Sequence, residues 1–221
     1  MPELETKNID RLTSIAKGVV GLCPYIGSLA SEAIGNLIPN QRLDRVVHFL
    51  RELDDQVRQV DSRLGKLESS LQSSEGLDLF EEGLVQSARA ISRERQERLA
   101  RLIGRSLTEE KVKYAESKKL LNLFRELTDP EVLYLLFYST NPTLRSSFHK
   151  QMMEENPDVL KPVSREMGAP QEQIDRGALQ DSYKNTLLRL GLIKEEGRSH
   201  QVTSLGRLLV RYIDARSEEK T

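Results

Sequence analysis

Between residues 40 and 72 the apolar positions follow one rhythm. Leu43, Val46, Leu50, Leu53, Val57, Val60, Leu64, Leu67 and Leu71 are separated by steps of 3 and 4 in strict alternation. This spacing places all of them on one narrow seam of a single helix, and the seam must be laid against other helices. At about 1.5 Å per residue the stretch predicts a rod of roughly 50 Å, with Asn40 as its N-cap and Gly65 as its weak point. Cations such as Arg42, Arg51 and Arg58 balance acids such as Asp44, Asp54 and Asp61 beside the seam. Two arrangements would shelter it: an antiparallel hairpin inside one bundle, or pairing with a second chain.

Upstream, Leu12 to Leu22 reads as a short apolar helix stopped by Pro24, and Ile26 to Leu37 as a second one ended by Pro39. Gly27, Ser31 and Gly35 form a row of small residues that lets another helix backbone approach closely. Downstream, Ser73 to Gly76 is a connector, and Leu77 to Ser106 reads as one long helix with Phe80, Leu84, Ala88, Ile91, Leu99, Leu102 and Ile103 inward. Thr108 is expected to cap a further helix carrying Leu120, Leu121, Leu123, Phe124 and Leu127. Thr128-Asp129-Pro130-Glu131 is a helix start, with a capping residue, proline at the first position and an early acid. It opens Val132 to Tyr138, apolar nearly all round and so central. Asn141-Pro142 repeats the signal for Thr143 to Met153, and Asn156 to Pro170 is an irregular connection.

From Leu179 the character changes. Leu179, Tyr183, Leu187 and Leu190 mark one helix face, Gly191 can end that helix in the left-handed conformation, and Leu192 to Lys194 with Gln201 to Thr203 read as two short strands before a last helix from Leu205. The fold class is therefore mainly α: a long-helix bundle with a coiled-coil-like hairpin, then a small winged-helix-like α+β module with one short β-hairpin. The parts fall at 1–75, 76–160 and 161–221. The winged-helix likeness covers Gln180 to Tyr212 and speaks for shape more than for DNA binding.

Composition narrows the chemistry. Among 221 residues, 33 Lys plus Arg nearly cancel 34 Asp plus Glu, and there are three His, one Cys and no Trp. A disulfide within the chain is excluded, a Cys/His metal cluster is not expected, and Cys23 reads as a small buried hydrophobe. No phosphate loop, His-Glu-x-x-His or serine elbow occurs, so neither an enzyme nor a cofactor nor a small-molecule substrate is expected. His48, two residues past the seam position Val46, is expected at the surface. The longest uncharged run, Gly18 to Ser31, is too short to span a membrane and is broken by Pro24. The chain is expected in the cytoplasm, with a peripheral place on the membrane as a variant of that reading.

Residues 89–125 hold eleven cations against five acids, a surplus of six. Arg98, Arg101 and Arg105 share one helix face there, either to grip phosphates of nucleic acid or anionic lipid, or as a solvated face steadied by pairs such as Glu97 with Arg101. In the C-terminal module Lys184, Asn185, Arg189 and Arg198 are the candidate nucleic-acid contacts, although Glu195-Glu196 at the wing would repel phosphate.

The order of parts resembles a bacterial family. Pro24-Tyr25-Ile26-Gly27 with Leu37-Ile38-Pro39, the arginine-rich helix, Glu126-Leu127-Thr128-Asp129-Pro130-Glu131-Val132-Leu133, and Leu190-Gly191-Leu192-Ile193 with Thr203-Ser204-Leu205-Gly206 are laid out as in the abortive-infection alpha type of helical protein. The resemblance implies a role in phage defence or a neighbouring stress response and supplies no catalytic residues. Three functions stand as expectations. The first is an interaction or oligomerisation protein, with a protein partner or a second copy meeting Gly27, Ser31, Gly35, Leu50, Val57 and Leu64. The others are a winged-helix DNA-binding regulator and a membrane-active effector using Leu12 to Leu37.

Overall fold

A computed structural model describes residues 42–58, 61–109, 113–140, 147–163, 168–197 and 199–214. Among them the chain is mainly helical, with ten helices and one antiparallel strand pair. The helices are α1 (Leu43–Arg58), α2 (Asp61–Leu71), α3 (Ser74–Arg89), α4 (Arg93–Thr108), α5 (Tyr114–Glu126), α6 (Asp129–Ser139), α7 (Ser147–Glu155), α8 (Pro157–Leu160), α9 (Gln171–Arg189) and, after strands β1 (Ile193–Glu196) and β2 (Ser199–Val202), α10 (Ser204–Ile213). The described residues cluster into two compact units, 42–122 with 212–214 and 123–211.

In the first unit five described side chains of the heptad seam are covered by the chain itself. Val46, Leu50, Leu53, Val57 and Leu67 are buried, with α1 and α2 both packed on α3 and α4. Phe80, Leu84, Leu99, Leu102 and Ile103 fill the opposite side of this core. The described part of the seam lies on α1 and α2, and residues 59–60 between them, on which the reading of one rod over 40–72 depends, are outside the described set.

Two expectations are corrected here. The stretch 77–106 is not one helix. The Ala90 backbone is extended, its N–H closing α3 on the Gln86 and Ser87 carbonyls, and Ser92 caps α4 by accepting from the Arg95 N–H. Ile91, expected inward, sits on this break and is 85% exposed. Thr108 does not cap the following helix. It is the last residue of α4, and its hydroxyl donates to the Gly104 carbonyl at 2.7 Å. The connector expected over Ser73 to Gly76 is shorter than that: α3 already begins at Ser74, and the Ser73 hydroxyl caps it by accepting from the Gly76 N–H at 3.0 Å. Gly76 is required there, since a Cβ would collide with the Ser70 carbonyl.

The second unit is built around α6, whose Val132 and Leu135 are fully buried and which packs on α9, α8 and β2. Its start follows the sequence signal. The Glu131 carboxylate reaches back to accept the Thr128 N–H at 2.6 Å and hydroxyl at 2.8 Å. At the other end, Leu-Gly-Leu-Ile and Thr-Ser-Leu-Gly lock onto each other. Gly191 takes φ +69°, the left-handed region. The Thr203 hydroxyl donates to the Gly191 carbonyl at 2.7 Å and accepts the Gly206 N–H at 3.0 Å. Strand pairing sets Ile193 opposite Val202 and Glu196 opposite Ser199, with Gly197 at φ +63° in the turn.

Candidate functional site

Helix α9 is positioned by its buried face, and that face is not the one its leucines mark. Gly177, Gln180 and Leu187 point inward. Gln180 Nε2 donates to the carbonyls of Val159 and Lys161 at 3.0 and 2.8 Å, and the Tyr134 hydroxyl donates to the same Val159 carbonyl at 2.8 Å. A buried amide needs such partners, so it decides how the helix is turned. Leu179, which the spacing groups with Leu187 on one face, is 54% exposed as a result.

Between α8 and α9 this leaves an open groove of about 360 Å³, with Val159, Leu179 and Tyr183 along it and Asp158, Glu172 and Asp175 on its rim. Arg176 also lines the groove, within 3.4 Å of Asp158 and 3.3 Å of Glu172. One cation against three acids leaves the rim negative. Ile174, also exposed, is 5 residues from Leu179 and so lies about 140° round the helix.

The opposite chemistry occurs on the break between α3 and α4 in the first unit. Ile91 stands out into solvent there, and both Arg89 and Arg93, two positions to either side, are exposed. An apolar tip flanked by two guanidinium groups is the complement of an apolar groove with an acidic rim.

The residues proposed from sequence are distributed differently. Gly27, Ser31, Gly35 and Arg198 lie outside the described residues, as does the side chain of Leu64. Leu50 and Val57 are core residues of the first unit, so they are not surface contacts. Arg105 is buried, and so it does not continue an exposed stripe with the half-buried Arg98 and Arg101, the latter 3.8 Å from Glu97. Lys184 approaches Asp181 at 3.4 Å and lies 5.8 Å from the centre of the Tyr134 ring. Arg189 approaches Glu126 at 3.8 Å, and Asn185 is exposed. A face whose lysine and arginine already neighbour carboxylates is poorly prepared for phosphate. His48 is half-buried rather than at the surface, beside Glu52 and Glu97.

Among the described residues no helix is long and apolar enough to cross a membrane. No protein-family model matches the chain, no curated protein matches it in sequence and no solved structure matches it in fold.

Proposed function

We propose that this chain is a non-enzymatic helical interaction protein that associates with further copies of itself, placing the Ile91 tip of one copy in the α8–α9 groove of the next. The observation that supports this reading most directly is the match in chemistry between the two features. Exposed Ile91 with Arg89 and Arg93 meets Val159, Leu179 and Tyr183 inside a rim of Asp158, Glu172 and Asp175. Charge cancels over the chain as a whole, to −1, yet residues 89–125 carry a surplus of six cations while the groove rim is acidic. Such segregation steers copies into one relative orientation. Because the two surfaces differ, the contact is heterologous and builds a ring or an open chain.

We read Gln180 to Tyr212 as a winged-helix-like module that serves protein contact rather than DNA readout. The order of sequence parts that resembles abortive-infection alpha proteins supports a place in bacterial phage defence. The test is sedimentation velocity over a concentration and salt series. Association should weaken as salt rises and be lost in both Ile91→Asp and Leu179→Ser. An equimolar mixture of those two variants should form a 1:1 dimer and nothing larger, since one tip and one groove remain intact between them. A monomer at every concentration, or assembly untouched by both changes, overturns the proposal. Binding of mixed-sequence duplex DNA with a steep salt dependence would favour the DNA-binding alternative instead.

A further inference from the structure

Three side chains that the sequence keeps apart meet in the first unit. His48 and Glu52 are four residues apart on α1, hence on one face one turn apart. Glu97 comes from α4, the helix that packs along α1. Each offers one atom that can ligate a metal, and these atoms lie within 4.8 Å of one another. The Nδ1 atom of His48 is shielded from water and has no hydrogen-bond partner. A buried ring nitrogen left unpartnered is unusual and costly. The Arg101 guanidinium approaches Glu97 only at 3.8 Å.

We propose that His48, Glu52 and Glu97 bind one divalent transition-metal ion of the zinc class, which clamps α1 to α4. One imidazole nitrogen with two carboxylate oxygens suits zinc, cobalt or manganese, whereas magnesium and calcium take oxygen ligands. Ligands at about 2.0–2.2 Å from a tetrahedral ion stand about 3.4 Å apart. The three side chains, all half-buried, close by about an ångström to reach that geometry, and water takes the remaining position. The ion neutralises the carboxylates whose mutual repulsion α1 and α4 otherwise hold in check.

The test uses the full chain stripped with EDTA. Cobalt chloride is titrated while the visible d–d absorption is recorded, and zinc chloride while the melting temperature is recorded. One ion per chain is expected, with the melting temperature rising as zinc is added and unmoved by magnesium. His48→Ala and Glu97→Gln should each weaken binding at least tenfold, and His200→Ala should leave it unchanged. Glu52→Gln serves as the variant that keeps the fold. It keeps the size and shape of the side chain and removes one ligand charge, so the metal-free protein should keep its fold while the response to zinc disappears. Absence of saturable cobalt binding, or binding undiminished in His48→Ala and Glu97→Gln, overturns the proposal.

Discussion

Gly206 and Thr203 show how much of the second unit rests on single atoms. A Cβ at Gly206 would strike the Leu192 carbonyl oxygen and press on Val202, and neither backbone nor β-strand can retreat without breaking the Thr203 contacts. Gly206→Ala should therefore destabilise the protein by about 2–3 kcal/mol, as overpacking against backbone does, read as a drop in the urea midpoint at constant slope. In the first unit the Asp78 carboxylate accepts from Lys118 Nζ at 2.6 Å and from the Tyr114 hydroxyl at 2.8 Å. The Lys118 hydrogen bond, with help from Tyr114, holds it below its ordinary value of 3.8. A carboxylate whose folded pKa is depressed stabilises the fold above its unfolded pKa, and that stabilisation is lost as pH falls through the folded value. The pair is largely open to water, so Asp78→Asn should cost only about 0.5 kcal/mol near pH 7. Chemical denaturation at several pH values should show the difference between variant and parent closing below about pH 3.8.

At the scale of elements, the legible helices were those with a local start signal. Thr128-Asp129-Pro130-Glu131 opens α6 as read, because capping is settled by residues three apart, whereas the Ser73 cap of α3 lies in a stretch that reads as a connector. The break at Ala90 to Ser92 is not legible, although Ser92 is a capping residue, because apolar residues continue across it at helical spacing. The rotation of helix α9 is not legible either. Its apolar residues are spread around it, so periodicity offers no single face, and Gln180 reaching the Val159 and Lys161 carbonyls settles the matter. Two substitutions separate these readings. Leu187→Ala should cost about 2–5 kcal/mol as a buried truncation. Leu179→Ser should change stability by less than about 0.5 kcal/mol, as surface changes do. Equal losses in thermal denaturation would return Leu179 to the core.

Across the whole molecule, what matters is where surfaces of different character fall. The seam of α1 and α2 is spent inside the first unit, which removes Leu50 and Val57 from any contact with a partner. Under the proposed self-association, Ile91 with its arginines and the acidic groove along α9 would carry the contact. Self-assembly through these two should respond to salt as well as to Ile91→Asp, whereas a seam-mediated dimer would respond chiefly to changes in the core that also unfold the chain.

The sequence by itself determined that the chain is mainly helical, that residues 43–71 carry a seam needing cover, and that a short hairpin follows Gly191, since these depend on spacing and capping among near neighbours. The tertiary structure decided that the seam is covered within the chain, that Leu179 and Ile91 face outward, and that Glu97 joins His48 and Glu52. Each of those outcomes depends on contacts between residues far apart in the chain, where a buried amide or a paired helix outweighs the local pattern.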